Sequence, residues 1–506
     1  MKSDNLFQHV KEEINKDNTI LAERILKSKK HSPELKHKIC RVLIDLAIEN
    51  NKLEYFDIAI EGLEKIKNFD LDNVNFNLGS AYLEKYNALG EKPNYLIDDE
   101  KLLFNSKREF KKEVAKHPDK VLRETNINLG IIYNKIGRPL EALDYFEKVL
   151  EKHETSAYAL YNKGNTLLAH SSFIDSPILV KEAYQNFKFL LTVDKLPNNM
   201  KENCENFIDF ILEDYPEEFL ESDDNQTYEI PTESEFESFM IDFCLENKLF
   251  LNPCNYCQSC QNAVGDKIVI RKMISEVEKD INDDLFLNLS SYLNQLKMDF
   301  ISARFLFILS QFEDFNLEII MKHVLIIDAA FSEENDIRVQ ILKDSFKNFF
   351  NILDKISVFI KRYLELDIPM SKVNFRNVWF EYDKKKKKVI DNKINPKLLL
   401  FKKNNGLTAL YDIYLDVEYN NEKEYLRRTR NNLTHKYLRV TDNKINDDDK
   451  TLDELKKETI EIAILAKNAI IYLIRLVEIH EEDKWKDLDV NFIPVEGIKD
   501  IYKHDD

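Results

Sequence analysis

The chain has 506 residues and a formal net charge of −18 at pH 7. Its hydrophobic content of 43% is normal for a folded protein, and its length allows two or three domains. With only 9 Gly and 12 Pro, the composition argues against a sandwich or barrel that needs many tight turns. Abundant Leu, Ile, Lys and Glu in long uninterrupted segments therefore predict an all-α protein.

The sequence carries no sign of export or membrane insertion. Its first residues, MKSDNLFQHVKEEINKD, lack the apolar stretch of a signal peptide. The most apolar long segment, 460–477, contains Glu461, Lys467 and Arg475, which favours a buried helix over a membrane span. Without an export signal, the six cysteines are expected to be reduced thiols. These features predict a cytoplasmic protein that does not contact a membrane.

The first part of the chain repeats itself. NFNLGSAY (75–82) and NINLGIIY (126–133) are near copies, and YNKGNTLL (161–168) is a weaker third. Gly130 and Gly164, in the second and third copies, lie 34 residues apart. A fixed period of this length is typical of proteins built from stacked helical hairpins.

The second copy resembles the tetratricopeptide (TPR) pattern. Gly130 stands where the two helices of a hairpin would cross, and Ala142 and Phe146 follow on the facing side of the second helix. The resemblance predicts a TPR-like helical-hairpin solenoid over residues 1–215. The concave face of such a solenoid is expected to hold a peptide, a protein or a nucleic acid.

An acidic, proline-punctuated stretch follows the repeats. Residues 213–237 contain eleven acidic residues and no Lys or Arg. We interpret residues 216–244 as an acidic linker or exposed loop.

Three cysteines come next, at C-x2-C-x2-C spacing: Cys254, Cys257 and Cys260. Zinc and iron–sulfur sites need a fourth ligand, which Cys244 could supply. Because no complete ligand set is evident, we expect three reduced thiols in a loop, and the sequence predicts no cofactor.

Long amphipathic helices dominate the rest of the chain. Apolar residues recur every three or four positions over 285–312 and 339–366, and the phenylalanines of the second segment are expected in a core. Thr451 and Glu454 fit a capping box that opens the last long helix. The predicted divisions are a helical connecting region, a core bundle and a tail, at 245–335, 336–482 and 483–506.

The balance of charge reverses within the predicted bundle. Residues 372–440 contain 17 Lys and Arg against 8 Asp and Glu, a local balance of +9. The lysine run at 384–388 is expected to be a solvated loop, but its neighbours are basic as well. The segment RRTRNNLTH, at 427–435, gathers three arginines, two asparagines and a histidine into nine positions. Such a basic region is suited to bind phosphates.

The bundle resembles a HEPN domain. It has a long first helix, a later helix with the motif R-N-x3-H at residues 430–435, and a long closing helix. The segments SYLNQLKMDFISARFLF, DKISVFIKRYLEL and NNGLTALYDIYLDV resemble a bacterial HEPN subfamily that often follows TPR repeats. HEPN ribonucleases cut RNA without metal, usually as dimers that bring two motifs together.

The resemblance implies a role for each motif residue. Arg430 would bind the scissile phosphate, and His435 would act as general base or acid. Asn431 would orient the side chain of Arg430 or of His435. The flanking cations would bind RNA phosphates; they are Arg427, Arg428, Lys436 and Arg439. Imidazole transfers protons near pH 7, and a guanidinium stabilises charge on phosphate, so these residue types suit cleavage that leaves a 2′,3′-cyclic phosphate.

Helical geometry adds a constraint. An apolar face is expected to pack into the bundle, formed by Leu426, Leu433, Tyr437 and Val440. Asn431 and His435 share another face, whereas Arg430 and His435 lie about 140° apart on an ideal helix. A bend in the helix or a second copy across a dimer axis would bring Arg430 and His435 together.

Two interpretations of the motif remain open. The sequence favours a dimeric endoribonuclease, acting on tRNA or mRNA as a toxin or phage-defence effector and regulated through its repeats. The alternative is a non-catalytic scaffold that binds RNA or nucleotide, in which the motif pairs with acids such as Asp412 or Glu424. A peptide-responsive TPR regulator is a third possibility. A second Arg-x4-His pair, Arg475 and His480, is interpreted as a helix terminus.

Overall fold

The computed structural model describes residues 3–485 apart from 70, 91–95, 97–100, 175, 223–229, 253–262, 271–284, 326–335, 402, 420–422 and 445. Nineteen α-helices lie in the described part of the chain, and the strands found there form one antiparallel pair. The predicted all-α class is therefore confirmed.

Helical hairpins form the N-terminal part of the molecule, and successive helices from the first to the eleventh pack against each other. Their bounds are α1 Ser3–Asn15, α2 Ile20–Lys27, α3 Pro33–Asn50, α4 Leu53–Ile66, α5 Val74–Ala88, α6 Leu102–Lys116, α7 Arg123–Ile136, α8 Pro139–Leu150, α9 Ala157–Ile174, α10 Pro177–Leu191, α11 Asn198–Asp214 and α12 Glu217–Glu221.

The hairpins cross at glycines, as the TPR-like pattern predicts. A Cβ added at Gly130 in α7 would lie 2.4 Å from the ring of Phe146 in α8, and one added at Gly164 would lie 2.7 Å from the ring of Phe187. Both distances are below the closest approach that real Cβ atoms make, so only glycine lets these helices come so near. Stacked helical hairpins that cross at glycines are therefore the architecture of this part of the chain.

The segment 216–244, interpreted from the sequence as a linker, contains two packed helices. Leu220 of α12 is buried against α10. Helix α13, Glu235–Glu246, buries Ile241 and Cys244 in the core of the C-terminal part. Acidic residues dominate the composition of this segment and suggest a linker. Burial of its apolar residues contributes favourable free energy that an extended linker would not have, so the segment folds into helices.

The C-terminal part is a bundle of long helices with a small β-hairpin. The helices after α13 are α14 Leu285–Gln311, α15 Glu318–Met321, α16 Ile337–Tyr363, α17 Asn405–Tyr414, α18 Glu424–His435 and α19 Leu452–Trp485. Strands β1 and β2 span Phe380–Asp383 and Lys388–Ile394, 3₁₀ turns occupy Met370–Lys372, Asn377–Trp379 and Leu398–Leu400, and a π-helix at Leu415–Tyr419 continues α17.

Helix α16 lies at the centre of the bundle, between α14 and α19. Phe346, Phe349 and Phe359 are fully buried, so the phenylalanine-rich face of α16 is core, as predicted. Helix α19 begins with the predicted capping box. The Thr451 amide donates to the Glu454 carboxylate at 2.9 Å, and the Glu454 amide donates to the Thr451 hydroxyl at 3.2 Å.

The lysine run 384–388 is exposed, as predicted for a solvated loop, but it turns between two strands that the sequence did not predict. Strand β1 pairs with β2 in an antiparallel register. The Asp383 carboxylate accepts hydrogen bonds from the Lys385 and Lys386 amides at 2.9 and 3.0 Å, which fixes the turn.

Two buried cations of the repeats pair with two buried acids of the bundle. The Lys107 ammonium of α6 lies 2.6 Å from Asp412 in α17 and 2.7 Å from Asp416 in the π-helix. The Arg138 guanidinium, at the start of α8, lies 2.6 Å from each of the same carboxylates. All four side chains are almost completely excluded from solvent. The two charges of each sign neutralise each other inside the interface.

Removing one of these charges tests the interface. We expect Asp416→Asn to lower the free energy of unfolding at pH 7 by about 3–5 kcal/mol, because Lys107 and Arg138 would remain buried with too little negative charge. Urea unfolding measures the change, with the exposed Asp448→Asn as control. An Asp416→Asn loss as small as the control's would contradict the role of the ion pairs.

The difference in free energy of unfolding between wild type and Asp416→Asn should depend on pH in a definite direction. Burial alone would raise the pKa of Asp416, but Lys107 and Arg138 outweigh it and hold the pKa well below its usual range. A depressed carboxyl pKa stabilises the fold above the unfolded-state value of about 3.9, and this contribution is lost as the pH falls below it. The gap between wild type and Asp416→Asn should therefore shrink below about pH 4.

A buried lysine at the same interface gives a second pH dependence. Burial lowers the pKa of Lys467 in α19 to about 7, and its ammonium donates to the Lys248 carbonyl at 2.6 Å. Between about pH 7 and about 10.4 the unfolded lysine binds a proton that the folded one does not, so stability rises with pH. We expect Lys467→Met to remove this rise and the exposed Lys457→Met to retain it. Urea unfolding at pH 7, 8 and 9 measures the slope.

Candidate functional site

Helix α18 carries the basic segment and is fixed to the bundle by its inner face. Leu426, Thr429 and Asn432, spaced three apart, are buried. The Thr429 hydroxyl donates to the Glu458 carboxylate of α19 at 2.7 Å. One side of α18 is therefore held by the core, and the other is left to solvent.

The helix ends earlier than the sequence suggested. The backbone of Lys436 leaves helical geometry, with φ −134° and ψ −145°, and Val440 forms a bridge with Lys450 instead of continuing the helix. Tyr437, predicted on the buried face, is 66% exposed, whereas Leu426 and Val440 are buried. The run Tyr-Leu-Arg-Val-Thr at 437–441 favours extended backbone, which accounts for the early end.

Arg430 is turned towards α16. Its guanidinium lies 3.5 Å from the Asp354 carboxylate and 5.6 Å from the centre of the Phe350 ring. The Nε atom of Arg430 is buried and has no hydrogen-bond acceptor. The Nη1 atom of the same guanidinium donates to Asn431 Oδ1 at 3.3 Å. A half-buried guanidinium with one long ion pair and an unsatisfied donor retains capacity to bind an anion.

Arg428, Asn431 and His435 lie along the outer face of α18. Their spacing of three and then four residues aligns them within about 60° on the helix. Arg428 and His435 are exposed and Asn431 is half-buried. No hydrogen bond or ion pair of the described residues joins Arg430 to His435. Helix α18 is regular through these residues, so no bend closes the predicted angle between Arg430 and His435.

The remaining basic side chains surround this face. The Arg427 guanidinium lies 3.4 Å from Glu418 and 3.3 Å from Glu424. Lys436 is exposed, and Arg439 lies 3.4 Å from Asp449.

The acids suggested as partners of the motif contact other cations. Asp412 is paired with Lys107 and Arg138, and Glu424 is paired with Arg427. The acid that does contact the motif is Asp354, which the sequence did not indicate.

Glu418 is a further residue that the sequence did not single out. It belongs to the π-helix, a rare element often found at functional sites. Burial raises the pKa of the Glu418 carboxyl, as does Asp354, while Arg427, Arg376 and Arg430 oppose the rise. A carboxyl group with a raised pKa beside three guanidiniums is suited to proton transfer or to control of the arginines. No periodic pattern marks a π-turn, so tertiary structure was needed to find it.

The second Arg-x4-His pair lies inside the bundle. His480 Nδ1 lies 2.8 Å from the Tyr363 hydroxyl, and the His480 ring packs edge-on against Phe401, 4.6 Å away. Burial lowers the pKa of His480. These contacts are those of a packed side chain at the end of a core helix.

Metal and membrane sites receive no support from the described residues. Cys254, Cys257 and Cys260 lie outside the described residues, and Cys244 is a buried free thiol. Within the described ranges, no three His, Cys, Asp or Glu side chains form a group that could hold a metal ion. A search of the same ranges finds no helix with the length and apolarity needed to cross a membrane.

Comparison with known proteins identifies the bundle. The sequence model of the LA2681-like HEPN family matches residues 283–480, which include α14 and most of α19. This part of the chain is a HEPN domain. The match includes α18 and the motif at 430–435 within the HEPN domain, and a HEPN domain indicates a nuclease or other RNA-related role. The comparison with curated proteins finds no match to this chain.

The contact that holds α18 in the HEPN domain can be tested. We expect Thr429→Val to lower the free energy of unfolding by about 1–3 kcal/mol, because the buried Glu458 carboxylate loses a hydrogen-bond donor. Thr434→Val, on the exposed side of the same helix, should change it by less than about 0.5 kcal/mol. Equal losses in urea unfolding would indicate a helix-propensity effect instead.

Proposed function

We propose that this protein is an endoribonuclease that cuts RNA without a metal ion at the outer face of α18. The observation that carries the proposal is the alignment of Arg428, Asn431 and His435 on that face, open to solvent. The HEPN domain supports it, because such domains have nuclease or RNA-related roles. In this proposal the repeats regulate the nuclease, as suits a toxin or phage-defence effector that stays inactive until triggered.

The reaction is an internal attack on the RNA backbone. A ribose 2′-oxygen forms a bond to the adjacent phosphorus while the bond from phosphorus to the 5′-oxygen breaks. The products are a 2′,3′-cyclic phosphate and a 5′-hydroxyl. A neutral imidazole accepts the proton of the 2′-hydroxyl, and a protonated imidazole gives a proton to the leaving 5′-oxygen. His435 supplies one of these two roles.

Two guanidiniums are available to the phosphate. Arg428 is on the face of His435 and can reach the same phosphate within one chain. Arg430 lies to the side, and its unsatisfied Nε is a donor for the charge that develops on the phosphate oxygens. Asn431, one helical turn before His435, orients the imidazole or the phosphate.

A dimer completes the site. One histidine in each chain cannot be base and acid in the same step, so the second imidazole comes from His435 of a second copy. The same arrangement relieves the separation of about 140° between Arg430 and His435 within one helix. A two-fold axis beside the outer faces of two α18 helices would meet both requirements.

The RNA lies along a basic and aromatic surface. Lys436 is exposed next to His435, and Tyr437 offers an exposed ring on which an unpaired base can stack. Arg427 and Arg439 contribute further positive charge near the backbone, although each is paired with an acid. This combination suits single-stranded parts of tRNA or mRNA.

A non-catalytic RNA-binding scaffold is the second candidate. It is favoured by the ion pairs of Arg430 with Asp354 and of Arg427 with Glu418, which hold two arginines against the protein. A scaffold would bind RNA through the same surface and leave it intact.

The deciding experiment compares RNA cleavage by wild type and His435→Ala in EDTA. End-labelled tRNA and mRNA are the substrates, and the 3′ ends of the products are analysed for cyclic phosphate. We expect wild type to cut and His435→Ala to be slower by about 100-fold to 10,000-fold, because a proton-transfer group is lost. Thermal unfolding of the variant establishes that it is folded.

His153→Ala is the matched control, since His153 is exposed in the repeats and far along the sequence from α18. It should cut at the wild-type rate. Equal cleavage by all three proteins would place the activity elsewhere, and loss of wild-type cleavage in EDTA would refute a metal-free reaction. RNA bound by wild type and His435→Ala but cut by neither would favour the scaffold.

A further inference from the structure

A cavity opens between the repeats and the HEPN domain. Its volume is about 310 Å³, within the size range of small-molecule sites. Helices α6, α7 and α8 form one wall, and the residue before α18 together with α19 forms the other. The cavity is separate from the outer face of α18, where the proposed nuclease residues lie.

Three lysines from three different elements line the cavity. They are Lys111 of α6, Lys148 of α8 and Lys423, the residue that precedes α18. Lys148 is exposed at the mouth and makes no ion pair with a described residue, whereas the Lys423 ammonium is half-buried and lies 3.5 Å from Glu461. Burial lowers the pKa of Lys423, and the neighbouring charge of Lys111 adds to the effect. Lys111 and Lys423 therefore line the cavity as neighbouring like charges.

The acids in the wall already have partners. Glu141 accepts hydrogen bonds from Arg138 and from the Tyr472 hydroxyl. The Asp144 carboxylate lies 2.6 Å from the ammonium of Lys248. Glu461 serves both the Tyr425 hydroxyl and Lys423. Because Glu461 is paired with Lys423 itself, an anion in the cavity would compete with Glu461 for that ammonium. The exposed Lys148 adds positive charge at the mouth, which favours an anion there.

Aromatic rings complete the lining. Tyr133 and Tyr145 are stacked, with ring centres 5.4 Å apart and planes 14° apart. The Lys111 ammonium lies 5.4 Å from the centre of the Tyr133 ring. Tyr145 is only half-buried and provides a flat surface beside the cations. Cations next to a flat ring are the combination that recognises a phosphate joined to a planar group.

We propose that this interdomain cavity binds a small phosphorylated ligand, with its phosphate held by Lys111, Lys148 and Lys423. A nucleotide and a phosphate compound without a base would present the same phosphate group to the lysines. A nucleotide base would lie against Tyr145.

Occupancy of the cavity reaches the nuclease face through Lys423. The Lys423 amide donates to the Asp416 carbonyl at 3.1 Å, and the Asp416 carboxylate is held by Lys107 and Arg138 of the repeats. The first turn of α18 follows immediately. A ligand that draws the Lys423 ammonium away from Glu461 therefore acts at the start of the helix that carries His435. This regulatory step rests on the proposed ribonuclease function, and ligand binding does not.

Binding is measured by titrating the full chain with ATP and with pyrophosphate in a calorimeter. Lys148→Glu should weaken binding by about tenfold or more, because a charge-assisted contact is replaced by repulsion. Lys152→Glu makes the same charge change on an exposed residue just after α8 and should leave binding unchanged. Arg428→Ala, on the nuclease face, should also bind normally. No binding of either probe at about 1 mM, or equal weakening by both glutamate variants, would overturn the proposal.

The two probes separate the possible sources of the phosphate. Binding of ATP but not pyrophosphate would assign the cavity to nucleotides, and Tyr145→Leu should then weaken ATP binding. Equal binding of both would support recognition of phosphate alone. In the cleavage assay, the bound probe should change the wild-type rate about fivefold or more and leave Lys148→Glu unaffected. Binding without this change would overturn the regulatory step alone, and absence of cleavage would reject the nuclease while leaving the binding result intact.

Discussion

The buried charges of Lys107, Arg138, Asp412 and Asp416 are the constraint on which the arrangement of the two parts depends. None of these side chains could be buried alone, because the cost of removing one charge from water exceeds the gain from packing. The repeats supply the two cations and the HEPN domain supplies the two anions. Neither part can leave the other without exposing or stranding charge, so the interface is specified by electrostatic complementarity as well as by apolar contact.

This constraint extends to the site because of chain connectivity. Asp416 lies in the π-helix, which also contains Glu418, and Glu418 contacts Arg427 of α18. Asp416 also accepts a backbone hydrogen bond from Lys423, the residue before α18. The repeats therefore help to fix the start of the helix that carries the R-N-x3-H motif. A regulatory role for the repeats has a physical route through these contacts.

Several features were readable from local sequence. The glycines at the hairpin crossings, such as Gly130, were predictable because close helix packing excludes a side chain at a repeated position. The capping box at Thr451 and the buried phenylalanines of α16 follow from helix-end chemistry and periodicity. The sequence did not indicate that α18 ends at His435. The backbone beyond that residue leaves the helix, and Val440 pairs with Lys450, a residue from a later part of the chain.

The sequence by itself determined the helical class, the repeat period and the basic segment with its arginines and histidine, because these depend on neighbours within a few turns. The tertiary structure decided which charges meet. Lys107 and Asp412 are 305 positions apart, and no local pattern distinguishes them from surface residues. It also decided that Arg428 shares the open face with His435 while Arg430 turns to Asp354. The side of α18 that faces solvent is determined by which of its residues the core covers, and this depends on the packing of distant parts of the chain.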